Sequence, residues 1–128
     1  MKKRRILIID DEERFTRLLK LNLEESGPYE VRVENEGSRA YDTAKEFKPD
    51  LILLDIVIPD TDTDELYHRL KNDPTIKDAP VVFVTALASK GEAAKRGGKI
   101  GQIPFLAKPI NVQDVINCIE ENLTKVRA

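Results

Sequence analysis

The chain has one cysteine, one histidine and no tryptophan. The single Cys118 excludes an internal disulfide and any multi-thiolate metal centre, and the lone His68 excludes the common zinc spacings. Any metal held here is therefore expected to be a hard cation on oxygen ligands. Long apolar runs are missing too, since none approaches the roughly 20 residues needed to span a bilayer. So is an excess of charge: 21 Lys and Arg against 23 Asp and Glu give a formal net charge of -2, with no global pull towards nucleic acid. The start, Met1-Lys2-Lys3-Arg4-Arg5, is basic like that of a signal peptide. Only about four apolar residues follow before Asp10-Asp11, too short for an apolar signal region, so a solvated strand entry and a cytoplasmic start are expected.

What is present suits one soluble domain. At 128 residues, with 41% apolar and 34% charged residues, the chain is long enough for one proper core and too short for two. A single domain over residues 1–128 is expected, ending within a few residues of its last helix with no output domain behind it.

The most informative stretch is Leu51-Ile52-Leu53-Leu54, an unbroken apolar run that delivers the carboxylate of Asp55. Such a run bounded by turn formers reads as a strand buried on both faces, as parallel strands covered by helices are. In open α/β sheets the crevice outside the carboxyl ends of the strands is the usual ligand site. Taken alone, Asp55 reads equally as a turn or cap residue. Other strand ends add to it. Arg5-Ile6-Leu7-Ile8-Ile9 ends in Asp10-Asp11, Val81-Val82-Phe83-Val84 ends in Thr85, and Pro104-Phe105-Leu106-Ala107 ends in Lys108-Pro109. Laid parallel, these strands bring three acids, a hydroxyl and an ammonium to one crevice.

Between the strands the spacing is helical. Phe15, Leu18, Leu19 and Leu23 mark one face of a helix from Glu12 to about Ser26, with acids at its start and Gly27-Pro28 stopping it. Asp11 reads either as its N-cap or as a metal ligand, and two adjacent acids exceed what capping needs. Tyr29 to Glu34 alternates apolar with charged, the pattern of a half-exposed edge strand. A second helix is expected from about Ser38 to Lys48-Pro49, and a third from Asp64 to Asn72 with Leu66 and Leu70 inward and His68 exposed. Ala86 to Gln102 is the weakest region. A short fourth helix over Ser89 to Arg96 is expected there, loosened by Gly91, Gly97, Gly98 and Gly101. Asn111 then caps a last helix carrying Val112, Val115, Ile116, Ile119 and Leu123 inward.

Five alternating βα units specify a doubly wound, three-layer αβα sandwich. With Asp10-Asp11, Asp55 with Pro59 four places on, Thr85-Ala86 and Lys108-Pro109 at its strand ends, the chain resembles a response-regulator receiver domain over essentially its whole length. The resemblance implies a five-stranded parallel sheet in the flavodoxin-like order 2-1-3-4-5, and a switch that accepts a phosphoryl group on Asp55 from a sensor histidine kinase or a histidine phosphotransfer protein. It implies Mg²⁺ on Asp11, Asp55 and the backbone carbonyl of Val57, with Asp10 acting mainly through water. Physical chemistry agrees, because three gathered carboxylates repel one another unless a cation or protons relieve them, and Mg²⁺ favours a few carboxylates, waters and phosphate oxygens. Lys108 would add positive charge and Thr85 a hydroxyl hydrogen bond to the phosphoryl group. Phe105 reads either as the ring that moves when Thr85 is drawn inward or as plain core.

Two departures from the family pattern stand out. Thr63 replaces the usual Gly after Asp62 and disfavours a positive φ there, so a differently shaped loop is expected. The fourth helix is rich in glycine, and with the last strand it forms the expected face for a downstream protein. No direct nucleic-acid or membrane partner is expected. Two other classes are weaker. A phosphorylation-independent binding module need not keep all five of Asp10, Asp11, Asp55, Thr85 and Lys108, and a phosphate-ester hydrolase would need an acid or base near Asp55, where Val57 is apolar.

Overall fold

The computed structural model describes residues 2–86, 99–100 and 103–127. Chain order is β1 (Arg4–Ile9), α1 (Glu13–Ser26), β2 (Tyr29–Glu34), α2 (Gly37–Phe47), β3 (Leu51–Asp55), α3 (Thr63–Asn72), β4 (Val81–Thr85), β5 (Lys99–Ile100), β6 (Ile103–Ala107) and α4 (Val112–Arg127). The sheet runs β2-β1-β3-β4-β6-β5, and all neighbours are parallel except the last pair. The five long strands therefore stand in the expected 2-1-3-4-5 order. The two-residue β5, antiparallel on the outer edge of β6, is an addition that sequence did not announce. Two residues flanked by glycines carry no periodic signal. The expected helix over Ser89 to Arg96 lies outside the described residues, and so does that half of the expected partner face.

Side-chain alternation along the strands splits the core into two halves. Leu7, Ile9, Ile52, Leu54, Val81 and Phe83 meet α2 and α3 through Ala40, Ala44, Phe47, Leu66 and Leu70. Ile6, Ile8, Leu51, Leu53, Val82 and Val84 meet α1 and α4 through Leu19, Leu23, Val115, Ile119 and Leu123. Every residue of β3 and β4 is buried, which is why those strands read as continuous apolar runs. β2 buries Tyr29 and Val31 and exposes Glu30 and Arg32, as an edge strand should. Its end is fastened: the Tyr29 hydroxyl donates to Glu120 of α4, and Arg4 of β1 pairs with the same carboxylate. Burial and that bond push the Tyr29 hydroxyl up to about 12.

The helix ends follow local chemistry. α2 stops at Lys48, which takes a left-handed conformation before Pro49 and donates its N–H to Ala44 O at 2.9 Å. α3 starts on Asp62, whose carboxylate accepts from Glu65 N at 3.1 Å. Beyond α3, the buried Asp73 accepts from the Thr75 N–H and hydroxyl and from the Tyr41 hydroxyl of α2. The Thr75 and Tyr41 bonds, with Lys45 nearby, hold the Asp73 carboxyl down at about 2.

Leu18, expected on the apolar face of α1, instead lies outside the stripe of Thr16, Leu19 and Leu23 and is 59% exposed. Leu18→Ala should therefore stay within about 0.5 kcal/mol, whereas Leu53→Ala, at a position with no exposure, should lower unfolding stability by about 2–5 kcal/mol, both read from urea midpoints. Asp73 supplies a pH signature. Because its folded pKa lies below the ordinary 3.8, its contribution is present above that value and fades as pH falls towards 2. Asp73→Asn should therefore be less stable than wild type at neutral pH, and the gap should close over that acid window in pH-dependent urea melts.

Candidate functional site

Parallel strands all end at the same edge, and here that edge is acidic. Ile9 pairs with Leu54, Asp55 with Val84 and Thr85 with Ala107, so the residues at the ends of β1, β3, β4 and β6 become neighbours. Main-chain bonds fix the ends: Asp10 N–H donates to Glu34 O at 3.1 Å, Ile56 N–H to Val84 O at 3.2 Å and Lys108 N–H to Thr85 O at 2.8 Å. Asn35 Nδ2 donates to the Asp10 carbonyl at 2.8 Å and to Thr16 Oγ1 at 3.0 Å, bracing the acidic turn from β2 and α1. The Lys108–Pro109 peptide is cis.

The side chains converge as expected from the sequence. Asp10, Asp11 and Asp55 each offer a carboxylate oxygen within 4.8 Å of the others. Lys108 Nζ lies 2.8 Å from Asp10 Oδ2, 2.6 Å from Glu12 Oε1 and 3.4 Å from Asp55 Oδ2. It also sits 4.5 Å from the centre of the Phe15 ring, a cation–π contact. Asp55 is buried, and its Oδ1 accepts from Val57 N–H at 3.0 Å. Burial pushes its carboxyl above the ordinary carboxylate range; the Val57 N–H works against this, the Asp10 charge adds to it, and Lys108 moderates it. Burial alone would lower the Lys108 ammonium, but its contacts with Asp10 and Glu12 prevail and hold it well above its ordinary value. An open cavity of about 280 Å³ lies over these groups, lined by Asp11, Glu12, Asp55, Val57, Pro59, Ala86 and Lys108.

The donor set fits a hard divalent cation. Asp10 Oδ2 is buried, and its close partner is the Lys108 ammonium at 2.8 Å, which Glu12 and Asp55 share. Three carboxylates gathered within 4.8 Å and sharing one ammonium are a donor set that a cation with oxygen ligands satisfies.

Thr85 is buried at the end of β4. Phe105 is buried opposite Phe83 in the β4–β6 ladder, within the half of the core covered by α2 and α3. Val57 exposes its side chain at the cavity rim. Thr63 carries no positive φ in the loop after Pro59. The positive φ falls on Asp60, at 60°, while Thr63 opens α3 and its hydroxyl donates to Ile56 O at 2.6 Å. Threonine thus replaces conformational freedom with a bond back to the end of β3. Gly37 has a different constraint, because a Cβ there would come within 2.7 Å of the Thr61 Cβ on this loop. Sequence reasoning did not single out Glu12 or Asn35. Glu12 looked like an acid placed for the helix dipole, and only its position next to the acidic pair hinted at more.

Comparison with known proteins agrees with this geometry. Residues 6–120 match the family described as response regulator receiver domain. The chain is 37% identical over 120 residues to the polar-differentiation response regulator DivK of Brucella anthropi, covering 92% of this chain and 94% of DivK. It is 40% identical over 107 residues to the response regulator PleD of Caulobacter vibrioides, covering 84% of this chain but only 23% of PleD. A sensor protein from Polaromonas sp. JS666 shares the fold with a TM-score of 0.80 at 26% identity, over 96% of this chain and 98% of that one. Receiver domains take phosphoryl groups from histidine kinases or phosphotransfer proteins and bind Mg²⁺ at an acidic pocket. The chain belongs to the response regulator receiver domain family and is a signalling module of two-component systems.

Proposed function

We propose that this receiver domain is a cytoplasmic switch, phosphorylated on Asp55 by a sensor histidine kinase or a histidine phosphotransfer protein, that acts by changing its affinity for a downstream protein. The observation that carries this reading is the meeting of Asp55 with Asp10, Asp11 and Lys108 beneath an open cavity. A carboxylate oxygen of Asp55 forms the new O–P bond as the donor's P–N bond breaks, and the imidazole nitrogen leaves with the bonding pair. Asp11, Asp55 and the Val57 carbonyl would hold Mg²⁺, with Asp10 bearing on it through water. Bound there, the ion would neutralise charge on the phosphoryl oxygens. Lys108 contributes the second positive charge, and the Thr85 hydroxyl donates to a phosphoryl oxygen.

The response is steric. Drawing Thr85 towards the phosphoryl group frees space beside the last strand, and Phe105, lacking a phenolic hydroxyl, can answer only by changing rotamer. The part of the surface that reads this out is the side of the sheet where β6 lies. Chemistry ends with the aspartyl phosphate and its hydrolysis, so the domain assists its own phosphorylation and dephosphorylation without turning over a separate substrate.

Intact mass after incubation with phosphoramidate tests this directly. Wild type should gain one phosphoryl group with Mg²⁺ and none without it, and Asp55→Asn should gain none. Lys108→Ala should slow the gain on the order of 100-fold, and Asp11→Asn should weaken Mg²⁺ binding measured by calorimetry. A folded wild-type protein that neither gains mass nor binds Mg²⁺ would leave a constitutive binding module instead.

A further inference from the structure

Glu12 occupies the N-cap of α1, yet its side chain makes no capping bond. Its backbone is held, because its N–H donates to Asp10 Oδ1 at 2.9 Å. The carboxylate lies instead over the site, with Oε1 2.6 Å from Lys108 Nζ, while Asp55 Oδ2 is 3.4 Å from the same nitrogen. The ammonium that phosphoryl transfer needs beside Asp55 is thus nearer to Glu12, and also to the buried Asp10 Oδ2 at 2.8 Å, so Glu12 is the exposed one of two carboxylates that hold it off Asp55. The two partners differ in commitment: the Lys108 side chain is 11% exposed and that of Glu12 is 59% exposed at the cavity rim.

We propose that Glu12 is a positioning residue that competes for Lys108, holding the ammonium in a resting place until an arriving phosphoryl group takes it over. The proposal rests on Asp55 being the phosphoacceptor. An ion pair with one well-exposed member is weak, because solvent screens it and a long side chain must be immobilised to form it. A phosphoryl group seated on Asp55 would offer Lys108 several charged oxygens in a partly buried place, where charge-assisted hydrogen bonds are stronger. Glu12 therefore yields, but every phosphorylation begins by displacing it. Reach matters as much as charge: aspartate at this position keeps the charge and is one methylene too short for the same contact.

The test compares wild type, Glu12→Gln and Glu12→Asp in time courses of intact mass with phosphoramidate and Mg²⁺. In this reaction an Asp55 oxygen bonds to phosphorus while the P–N bond breaks and nitrogen leaves as ammonia with the bonding pair. Both variants should gain the phosphoryl group about two- to fivefold faster than wild type. In Mg²⁺-free protein, the Lys108 ¹⁵Nζ resonance should shift in both variants, a readout independent of phosphorylation. Both should keep the wild-type urea midpoint, because Glu12 is exposed and caps nothing. Acceleration in Glu12→Gln with Glu12→Asp at the wild-type rate would assign the effect to charge alone and overturn the positioning role. Unchanged rates and an unmoved Lys108 signal in both variants would overturn it as well. A wild type that gains no phosphoryl group at all would overturn the phosphoacceptor reading itself, a different result from equal rates among proteins that all react.

Discussion

Negative charge gathered at one end of a sheet, with one ammonium to answer it, is the constraint on which the rest of this structure depends. Asp10 and Asp55 are buried and sit with Asp11. Among the described contacts, Lys108 is the cation that reaches Asp10, Glu12 and Asp55 together. Burying carboxylates is costly unless charge and hydrogen bonds compensate, and one ammonium cannot neutralise so many. The raised Asp55 carboxyl and the sharing of one ammonium among Asp10, Glu12 and Asp55 are two signs of the same shortfall. A site kept short of positive charge binds a cation readily and responds strongly to any change in its charge.

Such a gathering needs strands that all run the same way. Asp55 and Lys108 are 53 residues apart in sequence, and they meet because β3 and β6 both border β4 in parallel. Parallel neighbours demand crossover connections, which place helices on both faces and bury the central strands completely. The apolar runs of β1, β3 and β4 are therefore the requirement that puts a charged residue at the edge. Once a strand is inside, the first position free to be polar is its end. Asp10, Asp55, Thr85 and Lys108 are, in this sense, consequences of the sheet.

That logic explains why so much was readable in the residues themselves. A run such as Leu51 to Leu54 states its own burial, and alternation in Tyr29 to Glu34 states its exposure, so strand positions and the edge place of β2 followed. The site followed in turn, because strand ends are defined by the strands. The parts that escaped depend on side-chain reach. Glu12 and Asn35 act across elements through flexible side chains, and no periodicity records where a glutamate tip lies. Thr63 escaped for another reason: the pattern marked only a missing glycine, and could not show that the threonine hydroxyl bonds the Ile56 carbonyl or that the positive φ of this loop lies on Asp60. β5 is too short for any pattern to mark it.

The same sheet also decides where a change at Asp55 is most cheaply accommodated. β3 is hydrogen-bonded on both sides along its buried length, so its displacement would disturb two ladders at once. β6 has one long neighbour, β4, and on its other side the described contact is a two-residue strand. The Lys108 N–H to Thr85 carbonyl bond joins the end of β6 to the residue that follows Val84, the partner of Asp55 in the ladder. In the proposed switch, a pull on Thr85 or Lys108 would reach β6 through this bond. Phe105 lies on that strand with its ring in the core, where packed side chains change between discrete arrangements rather than deform continuously. Under the proposed phosphorylation of Asp55, ladders on both sides of β3 would hold the acceptor in place while β6 would be the neighbour left to move.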